Sequence, residues 1–166
     1  MKGNKMKKII PHVLAAAAMV MAVGSSQAAD AEVYFTPLNT FTDMPLEAAE
    51  RAEVLIKLSK HFDKLAAKLP AGQKLRVIVT DMDLAGENWR DRTGLRNERV
   101  IIGHNDWPEL KMTYSITENG KVVEEGQEYL KDMGFGSRAN VYFAGDQLRY
   151  EKQMLDLWFS HRIAGR

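Results

Sequence analysis

Residues 110–123 read Leu-Lys-Met-Thr-Tyr-Ser-Ile-Thr-Glu-Asn-Gly-Lys-Val-Val, and this stretch decides the fold class. Leu110, Met112, Tyr114 and Ile116 alternate with Lys111, Thr113, Ser115 and Thr117, the period of a strand with one buried and one open face. Asn119-Gly120 closes it into a hairpin, because both central positions of a type I′ turn need positive φ, which Asn and Gly tolerate best. The returning strand starts at Val122 and runs to about Leu130; its alternation is poor, and Gly126 marks an expected bulge that switches faces.

Working towards the N-terminus, Arg99 to Gly103 (Arg-Val-Ile-Ile-Gly) reads as a short strand after a polar, arginine-rich connection. Lys74 to Thr80 reads as a central strand with Leu75, Val77 and Val79 on one face. Leu55, Leu58, Phe62, Leu65 and Leu69 recur at helical spacing, and Ala48 and Ala52 extend the stripe backwards. Asp43 is the expected cap of this helix, with Pro45 and Glu47 in its first turn, and Pro70-Ala71-Gly72 ends it. Ala31 to Phe35 reads as a first strand. Towards the C-terminus, Val141 to Phe143 reads as a short strand. Asp146 then opens a second helix, with Leu148, Leu155, Trp158 and Phe159 on one face. The expected order is β-α-β-β-β-β-α: an α+β domain with a mainly antiparallel sheet of four to six strands and two main helices.

The first 28 residues read as a cleaved secretory signal peptide. Lys2, Lys5, Lys7 and Lys8 precede an apolar run ending at Val23, and Ser26 and Ala28 place cleavage after Ala28. The uninterrupted apolar part, Val13 to Val23, is shorter than the roughly 20 residues that span a bilayer. No cysteine is present to carry a lipid or a disulfide. Residues 29–166 are therefore expected to be a single domain, periplasmic in a Gram-negative cell and otherwise secreted, with no stable membrane anchor after cleavage. The full chain holds 23 basic and 22 acidic residues. Cleavage removes four lysines and no acid, which leaves 19 against 22 and a net charge of −3. Such a balance argues against nucleic acid as a partner. An envelope protein or a small ligand is expected instead.

Several segments carry a resemblance. Leu69-Pro70-Ala71-Gly72-Gln73, Val79-Thr80-Asp81-Met82-Asp83-Leu84-Ala85-Gly86-Glu87, Asp106-Trp107-Pro108 and Leu148-Arg149-Tyr150-Glu151-Lys152-Gln153-Met154-Leu155 leading to Trp158-Phe159 resemble, in that order, the bacterial family "domain of unknown function 3016". Phe41-Thr42-Asp43 resembles it too, and the chain departs from the pattern at Leu157, where an acid is expected. The resemblance implies an exported protein of Gram-negative bacteria and implies no activity.

Asp81, Asp83 and Glu87 form the strongest polar constellation. Two carboxylates two residues apart on a strand leave the same face, and Glu87 can curl back after Gly86. Three oxygen donors suit calcium, and Asp81-x-Asp83-x-x-Gly86 matches part of an EF-hand loop. It fails at Ala85 and at Arg92, and the bland alternative is that the aspartates organise a turn by accepting backbone N–H groups. Arg90, Arg92, Arg96 and Arg99 beside Trp89 could hold an anion or a sugar; Asp91 and Glu98 among them favour a self-paired loop. Of the histidines left after cleavage (His61, His104, His161), only His104, with Asp106, has an acid partner for acid-base chemistry, and none has zinc-site spacing. Trp107-Pro108 and Trp158-Phe159 are either core or a partner surface. The reading that results is a non-catalytic binding or accessory domain with no cofactor. An enzyme or metal-dependent site on Asp81, Asp83 and Glu87, joined by His104 or Arg90, is the alternative.

Overall fold

The computed structural model describes residues 31–90, 97–103 and 105–165, with residues 88–90, 97 and 98 described by their backbone alone. The elements run β1 Glu32–Phe35, α1 Ala48–Ala66, β2 Gln73–Asp83, β3 Glu87–Arg90, β4 Asn97–Val100, β5 Glu109–Glu118, β6 Lys121–Lys131 and α2 Arg149–Arg162, with a short 3-10 turn at Leu38–Thr40. The α+β class holds. The main sheet has four strands in the order β1-β2-β5-β6, and β3 and β4 pair separately as a hairpin. The sheet is mixed: β1 lies parallel to β2, and the β2·β5 and β5·β6 pairs are antiparallel. A parallel neighbour needs a crossover, and α1 supplies it.

Both helices pack on one face of this sheet. Val54, Leu58, Phe62 and Leu65 of α1 meet Leu75, Val77, Val79 and Met82 of β2, Leu110, Met112, Tyr114 and Ile116 of β5, and Met154, Leu155, Trp158 and Phe159 of α2. The four apolar positions read in β5 are all buried, as are Trp158 and Phe159. Asn119 and Gly120 both have positive φ, at 51° and 77°, as the hairpin turn requires.

Other expectations are corrected. The α1 stripe is rotated: Val54, His61 and Ala66 join Leu58, Phe62 and Leu65 in the core, Leu55 and Leu69 are half-buried, and Ala48 and Ala52 face solvent. Helix α1 begins at Ala48 with no side-chain cap, and Asp43 forms an ion pair with Arg99 instead. Helix α2 begins three residues after Asp146, whose Oδ1 accepts the Leu148 amide in the turn before it. Residues 141–143 form no strand. The strand expected at Arg99 to Gly103 is Asn97–Val100, paired with the unforeseen β3.

Two bulges set the faces of the main sheet. In β2, Val79 pairs with Met112 and Asp81 with Lys111, so Thr80 is an extra residue. Leu75, Val77 and Val79 point inward before it, and Met82 points inward after it, which turns Asp81 and Asp83 outward. In β6 the irregularity lies between the Ile116 and Thr117 pairings, not at Gly126. Gly126 sits in register opposite Tyr114, and a Cβ there would lie 2.8 Å from the Tyr114 ring. Glycine at 126 makes room for that ring, which packs edge-on against Trp158 at 5.3 Å.

Candidate functional site

The face of the sheet opposite the helices carries the candidate site. Its rows follow from the register: Glu32, Arg76, Ser115 and Glu125 form one, and Tyr34, Ile78, Thr113 and Gln127 the next. Beyond them lie Asp81, Lys111 and Tyr129, then Asp83, Glu109 and Lys131. Short side chains in the middle, Thr113 and Ser115, leave a depression of about 680 Å³ walled by Arg76, Ile78, Glu125 and Gln127. It continues past Thr113 and Gln127 into a second depression of about 340 Å³ beside Lys111 and Tyr129. Tyr34 and Tyr129, 48% and 52% exposed, flank this trough. Arg76 lies over the Tyr34 ring at 4.9 Å, and Lys111 and Lys131 lie 5.0 and 4.4 Å from the centre of the Tyr129 ring.

The carboxylates at one end of this face are occupied. Asp81 Oδ1 accepts the Thr42 amide at 2.8 Å and its own neighbour's, Met82, at 2.9 Å. Its Oδ2 accepts the Thr42 hydroxyl at 3.1 Å and Lys111 Nζ at 2.8 Å. Partial burial pushes its pKa up, but the hydrogen bonds from Lys111 and Thr42 outweigh it and hold the carboxyl below its ordinary value. Glu109 is likewise taken up: Trp107 Nε1 donates to Oε1 at 2.7 Å, Lys131 Nζ lies 2.9 Å from the same oxygen, and the Tyr129 hydroxyl donates to Oε2. Asp83 is raised, first by burial and then by the carboxylates of Asp43 and Glu109. Glu87 belongs to the β3·β4 hairpin. Among the described residues no three His, Cys, Asp or Glu side chains converge as metal ligands, so Asp81, Asp83 and Glu87 are not brought together as a calcium site.

Arg99 is a clamp. One guanidinium nitrogen donates to the carbonyls of Leu84 and Gly86, and the other lies 2.7 Å from Asp43 Oδ2, which ties the hairpin to the body of the domain. The side chains of Trp89 and Arg90, and residues Arg92, Arg96 and His104, lie outside the described residues. Pro108 is buried and Trp107 half-buried, its indole N–H spent on Glu109. An apolar patch stands elsewhere: Ile101, Ile102 and Met133 are exposed around a depression of about 470 Å³.

The ionisable groups Glu151, His61 and Asp132 are buried among the described residues, the last paired with Arg138, and none was singled out from the sequence. Glu151 is 1% exposed; the Ala85 amide donates to its Oε1 at 2.7 Å, and its Oε2 has no hydrogen-bond partner. Burial pushes this carboxyl up to about 7, against the opposing pull of the Ala85 bond. His61, 3% exposed, sits 3.3 Å from Asp156, which also accepts the Tyr142 hydroxyl. Burial lowers its pKa, and Asp156 acts in the opposite direction. The signal for these two was available: Glu151 falls on the helical stripe of Leu148, Leu155 and Trp158, and His61 on that of Leu58 and Leu65. Neither lines the trough.

Among the described residues this is a small two-layer α+β domain whose second sheet face no helix covers, with Asp81 paired to Lys111 and Glu109 to Lys131 across it. The chain belongs to the family described as protein of unknown function (DUF3016), which it matches over residues 29–161. Neither the curated proteins nor the solved structures contain a match to it.

Proposed function

We propose that the chain is an exported, non-catalytic binding or accessory domain of the periplasm, and that the uncovered sheet face is its working surface. One observation carries this reading: both helices fill one side of the sheet, while the other side holds a continuous trough between two half-exposed tyrosines. Ligand sites are concave, and placed polar groups in them fix a ligand's orientation. The carboxylates at the Tyr129 end of this face, Asp81 and Glu109, support a binding role over a catalytic one. General acid-base work needs a group free to take or give a proton at a substrate, and Asp81 and Glu109 spend their oxygens on neighbours. Export is supported by the basic, apolar and small-residue order of residues 1–28, and the family match beginning at residue 29 agrees with a leader that is not part of the domain.

The test is a photo-crosslinking side chain placed at Gln127 on the open face or at Lys60 on the exposed face of α1. In living cells the Gln127 position is expected to yield an adduct with an envelope component and the Lys60 position none. Equal labelling at both, or none at Gln127, overturns the reading. Mass measurement of the recovered protein checks export, with cleavage after Ala28 as the expected result.

A further inference from the structure

We infer that the trough takes a neutral, polyhydroxylated chain, a glycan, laid across β2, β5 and β6 between Tyr34 and Tyr129; this rests on the binding reading above. A sheet face offers no backbone donors or acceptors, because those lie in the plane of the sheet and are spent between strands. Recognition there is by side chains alone. The side chains present are the Thr113 and Ser115 hydroxyls, the Gln127 amide, the Glu125 carboxylate and the Arg76 guanidinium. Together they mix donors with acceptors, and three of them are planar groups able to engage two neighbouring hydroxyls at once.

Charge narrows the class. Arg76 has Glu32 at 3.9 Å and Glu125 in the same row, Lys111 is paired with Asp81, and Lys131 with Glu109. Lining the depressions, Arg76 stands against Glu125 and Lys111 against its partner Asp81. The wider face sets three cations (Arg76, Lys111, Lys131) against five carboxylates (Glu32, Glu125, Asp81, Asp83, Glu109), so there is no basic surplus with which to select a polyanion. The aromatic rings supply the apolar part: sugar rings present flat C–H faces that stack on tyrosine, and on the half-exposed Tyr34 and Tyr129 a sugar shares each ring with the cations already lying over it. Tyr34 and Tyr129 stand three strand spacings apart, roughly 15 Å, so the ligand spans several sugar rings. A peptide adding along the edge strand β6 is the poorer fit. That edge is broken by a bulge near Val123 and carries Glu124 and Glu128 turned towards the helix side, the devices by which edge strands resist pairing.

The experiment titrates the purified protein with chitohexaose, cellohexaose and maltohexaose, and with a heparin hexasaccharide and an oligolysine peptide as charged probes, reading backbone amide shifts. At least one neutral hexasaccharide is expected to shift amides of Arg76, Thr113, Ser115 and Gln127. Its affinity is expected to fall by about tenfold or more in Gln127→Ala and in Thr113→Trp, as for a residue central to an interface. Lys60→Ala should leave it unchanged, and amide spectra check that each variant is folded. Binding of a charged probe alone to this face overturns the glycan class and leaves the binding surface standing. No shift on this face with any probe, or affinity indifferent to both variants, overturns the two together.

Discussion

Asp81 binds Thr42 twice, through the backbone amide to Oδ1 and the hydroxyl to Oδ2, and so fastens the segment before α1 to the end of β2. Asp81→Ala removes the charged acceptor of the exposed Thr42 amide and hydroxyl and of the part-buried Met82 amide, and is expected to cost about 1 to 2 kcal/mol. Urea unfolding measures it; a loss within error of zero removes the structural role. Because the folded pKa is held down, the contribution is present above the ordinary carboxylate pKa near 3.8 and is lost as pH falls through the lower folded value. An excess of calcium, or a chelator, is expected to leave the melting midpoint unchanged, since both Asp81 oxygens are engaged. A rise of several degrees with calcium would show a site built from these carboxylates after all.

Glu151 predicts a pH effect of the opposite sign. Its carboxyl rises from the ordinary 4.5 to about 7 on folding, so the native state holds a proton that the unfolded chain releases. Stability from this group is complete below about 4.5, declines as pH rises to about 7, and stays lower above that. The loss amounts to roughly 3 kcal/mol. Glu151→Gln keeps an acceptor for the Ala85 amide and carries no charge. It is expected to unfold at higher urea than the parent at pH 8 and at about the same urea at pH 4.5. A parent and variant with parallel pH profiles count against this account.

His61 opposes Glu151. Its folded pKa lies below 6.5, so the native state resists protonation, and stability is lost as pH falls from the unfolded value through the folded one. The groups facing it are Asp156 and Lys152 from α2, Lys64 from its own helix and Tyr142 from the connecting loop. His61→Phe keeps the edge-on ring contact with Tyr142 and removes the titration. Relative to the parent, the variant should gain stability as pH falls below 6.5, and this difference between the two profiles separates the histidine from the opposite trend of Glu151. Hydrogen exchange in residues 133–148 would show whether the loss in the parent begins in that loop.

Gly126→Ala places a Cβ 2.8 Å from the Tyr114 ring, which is packed against Trp158 and cannot move freely. A cost of about 1 to 3 kcal/mol is expected, as for an overpacked core. Tyr114→Phe in the same chain keeps the ring and should not rescue it, whereas Tyr114→Leu should recover part of the loss. A neutral Gly126→Ala would mean that the ring has room to shift.

Much of this was legible because the deciding patterns were local. The β5 alternation and the Asn119-Gly120 turn depend on side chains within a dozen residues of one another, and both stand as read. The failures came where a distant partner decides. Asp43 has the chemistry of a helix cap, but Arg99, 56 positions away, holds its carboxylate. Strand β3, Glu-Asn-Trp-Arg, has little apolar periodicity of its own, and its pairing with β4 runs from Arg90 with Asn97 to Glu87 with Val100. Asp81 and Asp83 were correctly placed on one face of a strand. Which face, and which groups meet them there, followed from the extra residue at Thr80 and from Lys111 on the next strand. The trough itself spans β2, β5 and β6, and no run of neighbours in sequence spells it.

The extra residue at Thr80 also separates two demands on one strand. Upstream of it odd-numbered positions serve the interior, and downstream even-numbered ones do. Removing one residue there would exchange Met82 with Asp81 and Asp83, burying charge and exposing the thioether while every side chain kept its identity. What the chain must hold at this point is therefore a count: parity, rather than any particular chemistry at position 80, keeps the open-face and core-facing sides of β2 from trading places.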